Sequence, residues 1–360
     1  MPQEQLYNII AFLISNTMVL WSTPVVKTVG LKSGCVDLPN ERKMHKRPMV
    51  RVGGISIFIG TFFALLSIWW LGGFAGLSTE KEWEIWGVVL GGFAFFMIGL
   101  ADDLYNLSPS SRLLMQTVVS SIAWGVGVRI DFLSIPFYGL VDTAWLSLPI
   151  TVIWLVGVTN AINMIDGLDG LAAGVCGISA VVLLMVTLVM HQPGAALIAA
   201  ALAGGALGFL RYNFNPAQIF MGDGGAYFMG FTLAGVAVIG LVKVTAVATV
   251  AVSAVVAVLL PYLILAVPIL DMSTVIITRL SQGRSPFKAD KRHLHHRLIQ
   301  AGISHRLTVL FIYALTLWVG SLALGFSNVP SGWGFAIGAT LLLFYVGWQA
   351  WRNRRQVNNE

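Results

Sequence analysis

Long runs of apolar residues, separated by short polar segments, extend over almost the whole chain. A helix needs about 20 consecutive apolar residues to cross a bilayer, and eleven runs approach or reach that length. They lie at 5–26, 52–72, 85–101, 113–129, 146–162, 170–190, 194–210, 226–242, 245–270, 307–325 and 332–350. The pattern predicts an all-α integral membrane protein with about eleven transmembrane helices, forming a single multi-pass domain over residues 1–360.

The composition agrees with this pattern. Of the 360 residues, 57% are hydrophobic and only 11% are charged, which is more apolar than a soluble domain requires. The segment before the first run lacks the basic stretch of a cleaved signal peptide, so we expect this run to be kept as a membrane span. The two cysteines, Cys35 and Cys176, lie far apart in the chain and are expected to be unpaired.

The basic residues favour one orientation in the membrane. With the N-terminus outside, 19 of the 22 Lys and Arg residues fall in segments predicted to be cytoplasmic, and Lys81, Arg129 and Lys243 remain outside. Because Lys and Arg accumulate on the cytoplasmic side of membrane proteins, we predict an external N-terminus and a cytoplasmic C-terminus. The same rule explains the net charge of +6, so no nucleic-acid partner is expected.

Three segments carry further structural predictions. Residues 130–145 alternate weakly between apolar and polar positions and favour a short external β-hairpin. Pro261 and Pro268 are expected to kink the ninth span. The polar segment 271–306 is predicted to be a long cytoplasmic loop that binds substrate.

Four polar clusters share the cytoplasmic side in this orientation. They are Asp102-Asp103-Leu104-Tyr105-Asn106, the segment from Asn160 to Asp169, the segment from Phe220 to Gly225, and His293-Leu294-His295-His296-Arg297. Taken singly, an Asp pair at a helix end is more often a solvated terminus, and Gly-Asp-Gly-Gly is more often a turn. The histidines suit either a surface or a metal site. Their common position favours one shared functional site.

The charged residues of these clusters suit a phosphorylated substrate. Adjacent carboxylates repel each other unless a cation lies nearby, and Mg²⁺ prefers carboxylate and phosphate oxygens. Arg112 and the basic residues of 279–297 supply guanidinium groups, which bind phosphate well. Attraction to lipid headgroups is the alternative for these basic residues, although it does not explain the histidines. The sequence contains neither a Walker A loop nor a dinucleotide-binding glycine motif after a strand.

The motifs resemble those of the polyprenyl-phosphate N-acetylhexosamine-1-phosphate transferases, a membrane family that includes the bacterial MurNAc-pentapeptide transferase and the eukaryotic dolichol-phosphate enzyme. The similar segments are Val36-Asp-Leu-Pro-Asn40, His45-Lys-Arg-Pro-Met-Val-Arg-Val-Gly53-Gly54, Asn160-x-x-Asn163-x-x-Asp166-Gly-x-Asp169-Gly-Leu, Phe220-x-Gly-Asp223 and His293-Leu-His-His-Arg297. Asn106 and the His-Leu-His-His-Arg motif resemble the branch that uses UDP-GlcNAc. The MurNAc-pentapeptide enzymes typically have Lys where this chain has Asn106. In place of His-Leu-His-His-Arg they have three histidines followed by Phe.

The resemblance implies a reaction in which UDP-GlcNAc and undecaprenyl phosphate give undecaprenyl-diphospho-GlcNAc and UMP. It implies Mg²⁺ as the cofactor, with Mn²⁺ as a substitute. It also implies the inner (plasma) membrane of a bacterium, a cytoplasmic catalytic face and the first membrane step of a cell-envelope polysaccharide. A homodimer is compatible with the resemblance.

The resemblance further implies roles for individual residues. Asp223 matches the primary Mg²⁺ ligand and Asn163 a second ligand, while Asp102 and Asp103 are the expected catalytic residues. In one mechanism Asp102 deprotonates the lipid phosphate for direct attack on the β-phosphorus of UDP, and in another an aspartyl phosphate forms. Direct attack is favoured, because a phosphate monoester is already largely dianionic at pH 7 and a base then contributes little.

A larger set of residues is expected to bind substrate. It comprises Asn106, Arg112, Asn160, Asp166, Asp169, Phe220, Arg292, His293, His295, His296 and Arg297, together with His45 and Lys46 in the first cytoplasmic loop. By resemblance, Arg112 matches a pyrophosphate-binding position, Asp169 contacts uracil and Phe220 stacks on it. Asp166 either contacts substrate or supports a residue that does.

Two other functions fit parts of the sequence. A multi-pass transporter would account for acids next to membrane spans, but transporters place polar groups near the membrane midplane, and here they lie at one rim. The MurNAc-pentapeptide phosphotransferase of the same family is the nearer alternative.

Overall fold

The chain folds into an assembly of long apolar helices. The computed structural model describes residues 3–37, 48–135, 139–242, 254–285, 292–329 and 332–357. In these residues the helices are α1 (Gln3–Lys32), α2 (Gly54–Trp70), α3 (Thr79–Tyr105), α4 (Pro109–Gly125), α5 (Ser147–Ile165), α6 (Leu171–Val189), α7 (Pro193–Asn213), α8 (Gly222–Ala237), α9 (Ala254–Ile264), α10 (Ala266–Ser281), α11 (Leu294–Gln300), α12 (His305–Phe326) and α13 (Gly332–Val357). A 3₁₀ turn (Ala144–Leu146) precedes α5, and a π-helical turn (Val238–Val242) continues α8.

Seven helical segments of the described chain are long and apolar enough to cross a membrane. They are α1, α3, α5 with its 3₁₀ turn, α6, α7, α8 with its π-helical turn, and α12. The apolar helix α2 is shorter, at 17 residues. The chain is therefore a multi-pass, mostly helical membrane protein, while the count of eleven spans and their orientation stay predictions.

Capping residues, rather than hydrophobicity, set several helix ends. The predicted span 113–129 corresponds to α4, which begins earlier because Pro109 occupies its first turn and the Ser108 hydroxyl accepts a hydrogen bond from the Ser111 amide at 3.2 Å. Ser78 caps the start of α3 in the same way, accepting from the Lys81 amide. The hydrophobic runs therefore located these helices but misplaced their first turns.

The predicted ninth span, 245–270, is not one continuous helix in its described part. The helix α9 ends at Ile264 and α10 begins at Ala266. Pro268 lies in the first turn of α10, where its missing N–H leaves no helical hydrogen bond unmade. The expected kink is thus a break between two helices. The segment 271–306, predicted to be a loop, includes most of α10 and all of α11.

Two short antiparallel hairpins complete the described structure. Strands β1 (Val36–Asp37) and β2 (Met49–Val50) pair with each other. Strands β3 (Phe132–Ile135) and β4 (Gly139–Asp142) pair in a register that joins Phe132 to Asp142. The second hairpin confirms that residues 130–145 contain a β-hairpin, while its external location stays a prediction. Cys35 and Cys176 are both free, as expected.

The helix α8 lies at the centre of the structure, and its residues from Gly224 to Ala237 are buried. Close backbone contacts hold it against α3 and α5. A Cβ on Gly99 of α3 would lie 2.4 Å from the carbonyl oxygen of Asp223, and one on Gly230 would lie 2.7 Å from the Cα of Thr159 in α5. Small residues at such crossings let helices approach closely, and here they bring the ends of α3 and α5 to the start of α8.

Candidate functional site

A cavity of about 710 Å³ lies where α5 ends and α8 begins. Within the described residues it is lined by Asp37, Arg51, Asp166, Gly167, Leu168, Asp169, Asn213, Asn215, Phe220, Met221, Gly222, Asp223, His296 and His305. Four of these are aspartates and one is an arginine. The cavity wall therefore carries an excess of negative charge, which favours a bound cation.

Asp223 and Asn163 meet at the edge of this cavity. Asp223 is in the first turn of α8, and Asn163 is in the last turn of α5. The Asn163 amide nitrogen donates to Asp223 Oδ1 at 2.7 Å, and the Asp223 side chain is 27% exposed. The carboxylate is thus oriented on one side by an amide and remains accessible on the other. The structure brings together the two residues that were predicted as metal ligands.

Asp103 is buried behind Asp223, and its side chain is only 1% exposed. Its Oδ1 accepts hydrogen bonds from Nε and Nη2 of Arg51, at 3.2 and 2.9 Å. The backbone amide of Asp223 also donates to Asp103 Oδ1 at 3.1 Å, and that of Gly224 donates to Asp103 Oδ2 at 3.0 Å. An anion at the N-terminus of a helix is stabilised by these amides and by the helix dipole. Asp103 therefore joins the end of α3 to the start of α8.

Asp102 lies on the neighbouring side of α3 and is paired with Arg112. Asp102 Oδ2 accepts from Arg112 Nη1, and its Oδ1 accepts from the Leu107 amide at 2.7 Å. The same Nη1 of Arg112 lies 3.9 Å from Asp223 Oδ2. Arg112 consequently links two of the predicted acids, although it is not among the described residues that line the cavity.

The connection between α5 and α6 supplies two more acids. Asp166 lines the cavity, and burial, followed by the charge of neighbouring carboxylates such as Asp223, raises the pKa of Asp166 to about 8. A bound cation would oppose that shift. Asp169 Oδ2 accepts from Asn215 Nδ2 at 2.9 Å and from the Ala217 amide at 3.0 Å. Asp169 thus also holds the connection between α7 and α8 in place.

The histidine segment is anchored by an acid from α10. Asp271 Oδ1 accepts from the Leu294 amide at 2.7 Å, and Asp271 Oδ2 lies 2.9 Å from His293 Nδ1. Asp271 and His293 are both largely removed from solvent, each being 8% exposed. Because hydrogen bonds to a buried carboxylate are strong, this contact determines where α11 begins.

The next two histidines differ in environment. His295 is 1% exposed, and its two ring nitrogens have no hydrogen-bond partner among the described residues. Burial, followed by the charge of His296, lowers the pKa of His295 to about 4, so the ring is neutral near pH 7. It packs against Gly167, where a Cβ would lie 2.4 Å from His295 Nε2. His296 instead lines the cavity.

Two predicted substrate-binding residues are engaged elsewhere. The Asn160 amide donates to Gln116 Oε1 at 2.8 Å, so it joins α5 to α4. Asn106 ends α3 in a left-handed conformation with φ of 51°, which asparagine tolerates better than most residues. The backbone N–H of Asn106 donates to the backbone carbonyl oxygen of Asp102 at 2.9 Å. Neither residue is part of the described cavity wall.

The remaining predicted residues lie at the periphery or outside the described chain. Arg292 Nη2 donates to Gln282 Oε1 at 2.9 Å, and Arg297 is exposed on α11. Neither lines the cavity in the described residues. His45 and Lys46 lie outside the described residues.

Sequence analysis missed four residues of this region: Arg51, Asp37, His305 and Asp271. Asp37 and Arg51 belong to segments that carried the family resemblance, and a basic residue just before Gly53-Gly54 at the start of a span was an available signal. Asp271 was an acid at the edge of an apolar run. His305 directly follows the cap of α12, Ser304, and nothing in its local sequence marks it as a cavity residue.

The donor set fits a hard divalent cation in part. Among the described residues, no three His, Cys, Asp or Glu side chains form a ready group of metal ligands. Mg²⁺, however, typically takes one or two protein carboxylates and completes its shell with water and substrate phosphate. The accessible carboxylate of Asp223, with the amide of Asn163 beside it, suits that kind of site.

Comparisons with known proteins place the chain among transferases. The model of the family described as "Glycosyl transferase family 4" matches residues 85–241. The chain is 38% identical to a probable undecaprenyl-phosphate N-acetylglucosaminyl 1-phosphate transferase of Bacillus subtilis, over 85% of this chain and 81% of that protein. It is 36% identical to a decaprenyl-phosphate N-acetylglucosaminephosphotransferase of Mycobacterium tuberculosis, over 85% and 78%. A Haemophilus influenzae undecaprenyl-phosphate alpha-N-acetylglucosaminyl 1-phosphate transferase is 29% identical over 97% and 95%. With this similarity along most of its length, the chain belongs to glycosyl transferase family 4.

Proposed function

We propose that this protein transfers GlcNAc-1-phosphate from UDP-GlcNAc to undecaprenyl phosphate and releases UMP. The names of its relatives support the lipid acceptor and the sugar. The structural observation that carries the proposal is the contact between Asp223 and Asn163 at an acidic cavity, at the end of an apolar helical assembly. A transporter is not retained, because the relatives are transferases and the acids lie at helix ends.

The site is proposed to face the cytoplasm. The skew of Lys and Arg residues along the sequence supports this orientation. So does the chemistry of the two substrates, since a long polyprenyl chain stays in the bilayer and a charged nucleotide sugar stays in water. The two can meet only at a membrane surface, which is where the ends of α3 and α5 would lie.

Asp223 and Asn163 are proposed to hold Mg²⁺. When bound, this ion would neutralise charge on the diphosphate, which is the main requirement of phosphoryl transfer. Asp166 is the next acid of the cavity, and burial with the charge of neighbouring carboxylates raises its pKa to about 8, a shift that a bound cation would oppose. The proposed role of Asp166 is to contact either the bound Mg²⁺ or the substrate.

Direct attack by the lipid phosphate is the proposed mechanism. The lipid phosphate is already largely dianionic at pH 7, so it needs orientation more than deprotonation. Asp102 already accepts hydrogen bonds from Arg112 and Leu107, which supports a role in orienting Arg112 beside Asp223. Exchange of labelled UMP into UDP-GlcNAc in the absence of lipid would instead indicate a covalent intermediate.

Phe220 and Asp169 are proposed to form the nucleobase end of the cavity. Both line it, and the Phe220 backbone is fixed by bonds to Val50 and Gly53. His296 is the histidine proposed to contact substrate, because it lines the cavity. His293 is better placed to hold α11 through Asp271.

The proposal is tested with the purified full-length protein, undecaprenyl phosphate and either UDP-GlcNAc or UDP-MurNAc-pentapeptide, with Mg²⁺ or with EDTA. We expect UMP release with UDP-GlcNAc and Mg²⁺ only. Asp223→Asn should abolish it. Asp142→Asn is the matched control. Asp142 is exposed on β4, and the side-chain oxygen of asparagine can still accept the hydrogen bond from the Ala144 amide. Turnover by Asp223→Asn at the wild-type rate would refute the metal assignment. Turnover of UDP-MurNAc-pentapeptide but not of UDP-GlcNAc would refute the proposed sugar substrate.

A further inference from the structure

Arg51 is the single Arg or Lys among the described residues that line the cavity. Its side chain is 32% exposed, so part of the guanidinium group belongs to the cavity wall. Two arginines that were predicted to bind phosphate, Arg112 and Arg292, do not line the described cavity. Arg112 is paired with Asp102, and Arg292 donates to Gln282. Arg51 is therefore the one permanent cation that the described wall offers to a phosphate group inside the cavity.

The position of Arg51 is held by a carboxylate. Its Nε and Nη2 both donate to Asp103 Oδ1. Because Asp103 also accepts from the amides of Asp223 and Gly224, its negative charge is shared with the N-terminus of α8. The Arg51 guanidinium is consequently oriented without being fully neutralised. This is the arrangement expected of a preorganised anion-binding group.

The backbone around Arg51 is fixed as well. The Phe220 amide donates to the Val50 carbonyl oxygen at 2.8 Å, and the Gly53 amide donates to the Phe220 carbonyl oxygen at 2.9 Å. A Cβ on Gly222 would lie 1.9 Å from the Arg51 carbonyl oxygen. The backbone segment carrying Arg51 thus lies directly against the segment that leads into Asp223.

We infer that Arg51 binds a phosphate group of the substrates and that Asp103 is its positioning residue. The inference rests on the proposed function and adds a binding residue to it. A planar guanidinium group that uses two nitrogens on a carboxylate can still offer its remaining N–H groups to phosphate oxygens. The phosphate belongs either to the nucleotide diphosphate or to the lipid, and the two sources are distinguished by experiment.

The first measurement compares UDP with uridine, which lacks phosphate, by calorimetry on the purified full-length protein in EDTA. In Arg51→Gln we expect the preference for UDP over uridine to fall about ten- to hundredfold, as for a lost charged hydrogen bond, with uridine affinity unchanged. Arg51→Lys should be intermediate. Arg129→Gln is the matched control, because Arg129 also donates through Nε to an aspartate, Asp131, at 2.9 Å and is not in the described cavity wall.

The second measurement is the KM for undecaprenyl phosphate in the UMP-release assay. An unchanged UDP preference with a lipid KM raised tenfold or more in Arg51→Gln would assign Arg51 to the lipid phosphate. If neither quantity changes, the inference is overturned. If Arg51→Gln and Arg51→Lys both lose uridine binding, Arg51 is a structural residue and the inference is likewise overturned.

The proposed function fails in a different way. It is refuted if the wild-type protein neither binds UDP nor releases UMP, and this inference then falls with it. Wild-type protein that does both, while Arg51→Gln keeps its UDP preference and its lipid KM, overturns the inference alone.

Discussion

Replacement of Gly167 by alanine tests how the histidine segment is held against the cavity. A Cβ on Gly167 would lie 2.4 Å from Nε2 and 3.0 Å from Cε1 of His295, closer than non-bonded atoms approach. The ring cannot move freely, because His295 is 1% exposed and its centroid lies 5.8 Å from that of His293 and 4.2 Å from that of His296. We therefore expect Gly167→Ala to displace His295, and with it the cavity residue His296.

The magnitude follows from the cost of overpacking a buried site. Added methyl groups in a well-packed interior cost about 1–3 kcal/mol, and a single rigid ring pressed between neighbours gives little relief. Gly167→Ala should lower the midpoint of thermal unfolding in detergent and raise the KM for UDP-GlcNAc. Gly157→Ala is the matched control, since a Cβ on Gly157 of α5 would have nothing within 4 Å and alanine favours a helix.

A double-mutant cycle attributes the effect to the ring. His295→Ala removes the atoms that a Cβ on Gly167 would contact, so Gly167→Ala should cost much less in that background than in the wild type. An equal cost of Gly167→Ala in both backgrounds would refute the proposed clash with the His295 ring. A Gly167→Ala variant as mild as Gly157→Ala would refute it too.

Three further outcomes are expected. Gly222→Ala should lower stability and activity more than Gly72→Ala. Both glycines have positive φ (73° and 80°), but of these two only Gly222 would place a Cβ against a backbone oxygen, at 1.9 Å. Equal shifts of the thermal midpoint would contradict this expectation. Asp271→Ala should weaken UDP-GlcNAc binding by freeing the His293 ring and the amide that starts α11, and Asp271→Asn should recover part of the loss, as judged by KM. The folded-state pKa of His295, about 4, is below its ordinary value of 6.5. The unfolded chain therefore binds a proton on this residue first as the pH falls, and the free energy of unfolding decreases between pH 6.5 and pH 4. The loss is roughly 3 kcal/mol at most. Thermal midpoints of wild type should therefore fall more steeply than those of His295→Gln over that range, and parallel curves would refute the assignment.

The membrane class, most helix positions and the acids of the site could be predicted from the sequence. Apolar runs determine helices locally, because a span must satisfy its own backbone hydrogen bonds, and the spans 170–190 and 194–210 correspond closely to α6 and α7. The hairpin formed by β3 and β4 followed from the alternation of apolar and polar residues. The convergence of Asp102, Asp103, Asn163 and Asp223 was expected, and the structure places them in one connected group.

Tertiary structure decided which side of each helix end faces the cavity. Asn160 and Asn163 are one turn apart in α5, yet Asn160 bonds Gln116 of α4 while Asn163 bonds Asp223 of α8. Which partner each amide finds depends on helices distant in the chain. The same holds for the aspartate pair, since Asp102 binds Arg112 whereas Asp103 binds Arg51 and the first amides of α8.

The sequence by itself therefore determined the composition of the site, which is a cluster of aspartates with basic partners at the ends of apolar helices. Only the tertiary structure decided that Arg51, rather than Arg292 or Arg297, lines the described cavity. The physical reason is that burial and hydrophobic periodicity are encoded within a segment, whereas the pairing of charges is settled by close contacts between segments, such as Gly99 against Asp223, that no local pattern specifies.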